Sequence, residues 1–176
     1  GCVLAYRLSA DPNNNVLVLE AGGPDNDPMI HMPGGFAKLQ KPSVNYCYMT
    51  APQKNLNNRE LWCPLGKTLG GSSSINGMIY IRGQKEDYDS WAKAGNVGWS
   101  YENVLPYFRR AENNNTIADE YHGTDGPLRV SNQRSPHIIC KDYIRAAQQA
   151  GHKLNPDFNG DDQLGAGLYQ VTQHEG

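Results

Sequence analysis

The chain has 176 residues, enough for one medium domain with a core of its own. Its 16 lysines and arginines nearly balance 18 aspartates and glutamates, and no long run of one charge occurs, which argues against a nucleic-acid partner. No apolar run approaches the roughly 20 residues that span a bilayer. The 19 glycines and 11 prolines predict many turns between short elements, so we expect a loop-rich α/β or α+β fold.

The chain ends and the cysteines bear on the context of the protein. The sequence opens without an initiator methionine and stops inside an expected strand, so we interpret it as a fragment. Its cysteines form no CxxC pair and no metal-ligand spacing, which favours reduced thiols, a cytosolic setting and no metal site. They are Cys2, Cys47, Cys63 and Cys140.

The chain begins with the pattern of half a βαβ unit. Apolar residues at helical spacing predict a helix over residues 1–9, and Asp11-Pro12-Asn13 forms a turn. The continuous apolar run Val16-Leu17-Val18-Leu19 predicts a strand that is buried on both faces.

Gly1 and Glu20 have the spacing of a dinucleotide site. Such a site needs a glycine turn feeding a helix, and an acid about 20 residues on, at the end of the next strand, to bind a ribose hydroxyl. We therefore expect Gly1 to be the last glycine of that turn and Glu20 to be the ribose carboxylate. The alternative is an ordinary strand followed by an exposed glutamate, and spacing alone does not decide between them.

The remaining elements are predicted from periodicity, caps and stops. Residues 24–65 show little periodicity and predict irregular coverage with interleaved aromatic residues. We expect further elements from about Glu86 to Ala94 (helix ended by Gly95), Ser100 to Glu112 (helix containing Pro106), Leu128 to Ser131 (strand), Ser135-Pro136 to Ala150 (helix with Pro at its first position) and Leu168 to Thr172 (strand).

A Gly/Ser-rich segment that starts at Gly66 carries the most specific signal. The segment contains, at fixed intervals, a glycine pair, small residues, an aliphatic residue, an asparagine, an aromatic residue and an acid. The residues that fit this pattern are Gly66, Lys67, Leu69, Gly70, Gly71, Ser72, Ser73, Ile75, Asn76, Tyr80, Gly83 and Asp89. This pattern resembles the first signature of the glucose-methanol-choline (GMC) oxidoreductases, and the similarity extends over nearly the whole chain. Without the extended match, a Gly/Ser-rich surface turn would be the better explanation of the segment.

The resemblance implies a Rossmann-like FAD-binding domain interleaved with a substrate-binding domain. It implies that residues 1–125 are a partial FAD-binding domain without its first strand and first glycines, with a segment covering FAD at about 24–100. Residues 126–176 would be the incomplete start of the substrate-binding region and the return to the FAD-binding domain. The implied cofactor-binding residues are Gly1, Glu20, Gly70, Gly71, Ser72, Asn76, Gly77 and Ile79.

The resemblance also implies the reaction, in which an alcohol of the choline or alkanol type is oxidised to a carbonyl by hydride transfer to flavin. Some members attach FAD covalently to a histidine where this chain has Ile75, so a non-covalent FAD is implied. The family's catalytic histidine pair lies far towards the carboxyl terminus. None of the five histidines here matches it, and we expect each of them to be a surface or turn residue: His31, His122, His137, His152 and His174.

Several alternatives stay open at this point. A relative could cleave hydroxynitriles instead of oxidising an alcohol, because fold does not fix chemistry. A nucleotide-binding module without turnover is a second alternative. An NAD-dependent dehydrogenase would share Gly1 and Glu20 but gives no reason for the Gly66 segment. The electron acceptor (quinone, oxygen or a carrier) stays open, and the protein is expected to be cytoplasmic or peripheral to the inner membrane.

Overall fold

The computed structural model describes residues 1–174 and divides into two compact units, Gly1–Gly77 and the chain from Met78 onward. Both units combine helices with short strands, so the mixed α/β class expected from the sequence is confirmed in that form. The domain boundary predicted near residue 125 separates cofactor-binding from substrate-binding parts, which is a different division, and it stays a prediction.

The first unit has one α-helix, three 3₁₀ segments and a two-stranded antiparallel sheet. They are α1 (Cys2–Leu8), the 3₁₀ segments Pro33–Leu39, Lys54–Leu56 and Gly71–Ser74, and the strands β1 (Tyr48–Met49) and β2 (Trp62–Cys63). The predicted first helix is thus confirmed to within a residue. Leu39, Val44 and Ile75 form the buried apolar cluster of this unit.

The strand predicted at residues 16–19 is wrong. None of these residues belongs to a strand, and Leu17 and Leu19 are 82% and 87% exposed. A strand buried on both faces needs hydrogen-bonding neighbours on both edges and apolar cover on both faces. No strand among residues 1–174 pairs with this segment, so its apolar side chains do not belong to a sheet in the described part of the chain.

In its described residues, 78–174, the second unit contains three α-helices and two small sheets. Its elements are β3 (Ile79–Tyr80), α2 (Lys85–Lys93), α3 (Tyr101–Ala111), β4 (Glu112–Asn114), β5 (Leu128–Val130), α4 (Ile138–Gln149) and β6 (Gln170–Val171). β3 pairs with β6 antiparallel, and β4 pairs with β5 parallel.

Local sequence signals explain the boundaries of α2 and α3. The Ser100 hydroxyl accepts the Asn103 N–H and caps α3, as predicted, and Pro106 lies inside that helix. Gly95 follows α2 with a φ of +101°, a conformation that stops a helix. The Asp89 carboxylate accepts the Tyr101 N–H at 2.9 Å, which joins α2 to the first turn of α3.

The predicted start of the fourth helix is wrong by two residues. Ser135-Pro136 lies before the helix, and His137 is the N-cap, with its Nδ1 accepting the Ile139 N–H at 3.2 Å. An unprotonated ring nitrogen accepts a hydrogen bond, as the serine hydroxyl that we expected at this position would. The helix ends at Gln149, and Gly151 follows with a φ of +95°.

Candidate functional site

The Gly/Ser segment forms a tight turn on the first unit. Gly70 and Gly71 have φ angles of +87° and +58°, a region that favours glycine because it has no Cβ. The Gly66 N–H donates to the Ser72 hydroxyl at 3.1 Å, and the Ser74 hydroxyl donates to the Leu69 carbonyl at 2.8 Å. These bonds fold the segment back on itself into a single short turn.

Buried residues within and next to the turn fix its position on the first unit. Thr68 is 1% exposed, and the Lys67 N–H donates to the Val44 carbonyl at 2.8 Å. Ile75 is 4% exposed and packs with Leu39 in the apolar cluster. The segment therefore has a fixed inner side and an accessible outer side.

The structure brings the predicted ribose carboxylate close to this turn. Glu20 accepts the Gly22 N–H at 2.7 Å, which forms a second turn directly after residues 16–19. The Gly23 carbonyl then accepts both the Leu69 N–H and the Thr68 hydroxyl at 3.0 Å. Two segments that lie 45 residues apart in sequence are thereby joined.

The amino terminus of α1 reaches the same place. Gly1 precedes the helix as its N-cap, and the Cys2 thiol lies 3.8 Å from the Gly70 carbonyl. The start of α1, the turn after Glu20 and the glycine pair therefore form one region of the first unit, which we call the three-segment cluster (residues 1–2, 20–23 and 66–74).

The predicted cofactor-binding residues differ in exposure and location. In the first unit Gly71 is partly exposed. The other predicted residues of that unit are exposed, namely Gly1, Glu20, Gly70, Ser72, Asn76 and Gly77. Ile79 belongs to the second unit, where it pairs with Val171 and is 56% exposed. The exposed members of this set lie at the surface of the unit to which each belongs.

Sequence reasoning missed a cluster of buried charges in the second unit. Glu112 is fully buried, and its carboxylate accepts hydrogen bonds from Arg82 at 2.6 Å and from the His122 ring at 2.8 Å. The Asn114 amide donates to the same carboxylate at 2.9 Å, and the other His122 ring nitrogen lies 3.0 Å from Asp157. These residues come from four separate segments, so no local spacing could have shown the cluster.

The expectation that His122 is a surface or turn histidine is wrong with respect to burial, because His122 is only 2% exposed. Burial disfavours its charged form, but hydrogen bonds to Asp157 and Glu112 outweigh burial and raise the pKa of His122 to about 9. Burial likewise opposes ionisation of Glu112, but the hydrogen bonds from His122 and Asn114 and the charge of Arg82 lower its pKa below the usual value. The other four histidines are exposed.

Asp119 lies beside this cluster and completes a group of two carboxylates and an imidazole with ligand atoms within 4.8 Å of one another. Its carboxylate accepts the N–H groups of Tyr121 and His122. Both His122 ring nitrogens already lie against carboxylates, and a protonated imidazole has no lone pair to offer an ion. We therefore describe the group as an ion-pair cluster.

The three-segment cluster has the parts of a dinucleotide site: a glycine turn, a helix start and an acid. Comparison with known proteins identifies the class. Residues 13–176 match the family model described as GMC oxidoreductase, and the chain belongs to this family, whose cofactor is FAD. The expected family and cofactor are thereby confirmed.

Two relatives and one solved structure illustrate the similarity. The chain is 49% identical over 178 residues to an alcohol dehydrogenase (acceptor) from Pseudomonas putida, covering 100% of this chain and 32% of that protein. It is 45% identical over 184 residues to the human mitochondrial choline dehydrogenase, covering 100% and 31%. The structure of pyridoxine 4-oxidase from Mesorbium loti aligns with a TM-score of 0.88 at 31% identity, covering 98% and 34%.

The chain spans about a third of the length of these relatives. The activity, substrates and partners of the whole protein are therefore proposals. Within residues 1–174, no helix is both long enough and apolar enough to cross a membrane. The four cysteines are free thiols, as expected from their spacing.

Proposed function

We propose that the full-length protein is an FAD-dependent oxidoreductase that oxidises an alcohol to a carbonyl compound. FAD supplies the hydride acceptor for such a reaction. The residues of this chain bind the dinucleotide part of the cofactor on a Rossmann-like domain. The single observation that carries the proposal is the convergence of the three predicted cofactor segments in the three-segment cluster.

The donor set of the cluster fits a dinucleotide. The carboxylate of Glu20 can accept a hydrogen bond from a ribose hydroxyl, as acids at this position of such folds do. The backbone around Gly70 and Gly71, together with the Ser72 hydroxyl, offers polar groups to a pyrophosphate, and left-handed glycines allow close approach of the backbone. Asn76 and Gly77 belong to the same proposed contact surface, and Ile79, in the second unit, stays a proposed cofactor contact on the resemblance alone.

The proposed binding of FAD is non-covalent. Ile75 stands where some family members carry the histidine that bonds to the cofactor, and an aliphatic side chain cannot form that bond. Ile75 is also 4% exposed and packs with Leu39 and Val44, so its role in this chain is to support the turn from within.

The names of the relatives support an alcohol of the choline or alkanol type as substrate. We assign no catalytic residue within this chain and propose that the catalytic base lies beyond residue 176. A quinone, oxygen or a protein carrier would reoxidise the flavin. We further propose a cytoplasmic location or peripheral attachment to the inner membrane.

The first experiment is the visible absorption spectrum of the purified full-length protein, before and after acid precipitation. Two flavin bands that move into the supernatant are the expected result. Bands retained in the pellet would show a covalent link and refute the argument from Ile75. A colourless protein that takes up no added FAD would favour the non-catalytic module, and a yellow protein that cleaves hydroxynitriles without redox turnover would favour the lyase.

A substitution at Glu20 tests the ribose contact directly. Glu20→Gln keeps an acceptor oxygen but loses the charge, and a charge-assisted hydrogen bond is about twice as strong as a neutral one, so the substitution costs roughly 1–1.5 kcal/mol of binding free energy. We expect the FAD dissociation constant to rise roughly 5- to 12-fold in a fluorescence titration. Asp11→Asn, at another exposed acid of the same unit whose carboxylate also accepts an N–H two residues on, is the control and leaves the constant unchanged. Equal constants for the two variants would remove Glu20 from the site.

A further inference from the structure

The second unit has a buried centre made largely of polar and charged side chains. Its buried apolar residues, among the described residues, are Val130 and Val171. Around them lie many buried polar side chains, namely Arg82, Glu112, Asn114, His122, Asn155, Asn159 and Gln170. An unpaired buried charge is costly, so hydrogen bonds among these side chains stabilise the centre, in which the Arg82 Nε is a buried polar atom without a partner among the described residues.

The contacts of His122 determine its protonation state. Its Nδ1 lies 2.8 Å from a Glu112 oxygen and its Nε2 lies 3.0 Å from an Asp157 oxygen. Carboxylates only accept hydrogen bonds, so both ring nitrogens must carry a proton. The Asn114 amide, 3.2 Å from Nδ1, does not change this, because its two hydrogens point to Glu112 and Gln170.

Four side chains then form a line of alternating charge: Arg82, Glu112, His122 and Asp157, with contacts of 2.6, 2.8 and 3.0 Å. The line is electrically neutral only while His122 is an imidazolium. We call it the charge chain.

The charge chain joins the segment after β3 to three other parts of the unit. Arg82 donates to the Tyr121 carbonyl at 2.8 Å, and its own N–H donates to the Asn159 side chain at 2.8 Å. The Gln163 amide donates to the Arg82 carbonyl at 2.9 Å. We infer that the charge chain is a proton-dependent latch that holds these segments together and opens when His122 loses its proton. This inference concerns the second unit and does not depend on the proposed function.

The direction of the pH dependence follows from the raised pKa of His122. Burial lowers that pKa, but the bonds to Asp157 and Glu112 raise it to about 9 from an ordinary 6.5. The stabilisation is complete below pH 6.5 and is lost as the pH rises through about 9. The pKa values of Glu112 and Asp157 are lowered despite burial, so on the acid side the stabilisation is lost only below their ordinary range. The charged or titratable groups around His122 and Arg82 are Glu112, Asp157, Asp119, Tyr80 and Tyr101.

Hydrogen exchange of the full-length protein, followed by mass spectrometry, tests the latch locally. Peptides that cover residues 79–82, 112–123 and 155–163 report its segments, and protection factors correct each rate for the intrinsic effect of pH. The closed latch holds one proton more than the open form between pH 6.5 and about 9. Protection in these peptides should therefore fall about tenfold per pH unit across that range and become constant above it.

Two variants separate a latch from a merely structural contact. His122→Asn removes the linked proton, so its protection factors should be lower but independent of pH over the same range. His152→Asn makes the same change at an exposed histidine and should keep the tenfold slope. A wild-type protection that does not change with pH overturns the inference, even if His122→Asn fails to fold. Equal slopes in the wild type and in His122→Asn overturn it as well.

Discussion

Gly22 is the position where the turn after Glu20 passes closest to the Gly/Ser segment. A Cβ atom at Gly22 would overlap the backbone of Lys67 and Thr68. Lys67 cannot move away freely, because its N–H donates to the Val44 carbonyl at 2.8 Å. Gly22→Ala must therefore displace the backbone that holds the three-segment cluster together.

The loss of stability expected for Gly22→Ala can be compared with the effect of the same substitution at Gly34. Forcing an extra methyl group into a packed site costs about 1–3 kcal/mol. A Cβ atom at Gly34 would meet no other atom within 4 Å, and the φ of Gly34 is not positive, so Gly34→Ala should stabilise the protein by about 0.4–1 kcal/mol through the unfolded state. We expect the two variants to differ in free energy of unfolding by about 1.5–4 kcal/mol.

Urea unfolding and FAD titration of the full-length protein measure this difference. Gly22→Ala should unfold at lower urea concentration than Gly34→Ala and bind FAD at least roughly tenfold more weakly. If the two alanine variants have the same unfolding midpoint and the same FAD affinity, the contact between residues 22 and 67 does not support the cofactor site.

Two further substitutions test the packing and the capping of the two units. Leu39→Ala removes a side chain that is 1% exposed and should cost about 2–5 kcal/mol in urea unfolding, whereas Leu61→Ala, at 40% exposure, should cost much less; similar losses would mean that the cluster around Leu39 is not a core. Ser100→Ala removes the cap of α3 and should cost about 1 kcal/mol, and Ser100→Gly only a few tenths; a larger loss for glycine than for alanine would contradict capping.

Local signals predicted the helices of this protein well. The hydroxyl of Ser100 and the positive φ of Gly95 and Gly151 depend on neighbours in sequence, so a pattern is sufficient to locate them. The predicted start of α4 was wrong because a serine followed by a proline has the pattern of a helix cap, whereas the ring nitrogen of His137 forms the cap in the structure. The prediction of a strand at residues 16–19 was wrong because strand pairing depends on distant segments of the chain, which no local sequence pattern describes.

The candidate site was predictable for a different reason. Spacing linked Gly1 to Glu20, and the resemblance linked both to the Gly70 turn, which the structure brings into contact with their neighbours. The charge chain was not predictable, because Arg82 and Asp157 are brought together only by the tertiary fold. A buried histidine between two carboxylates looks, in the sequence, like a histidine in an ordinary turn.

The most direct test of the proposed function is anaerobic mixing of the purified full-length protein with candidate alcohols while the flavin absorption is recorded. Choline and a series of alkanols are the substrates to compare. We predict that at least one of them bleaches the flavin bands and that admitting oxygen or a quinone restores them. Flavin that is bound but stays oxidised with every alcohol would contradict the proposed oxidation of a CH–OH group.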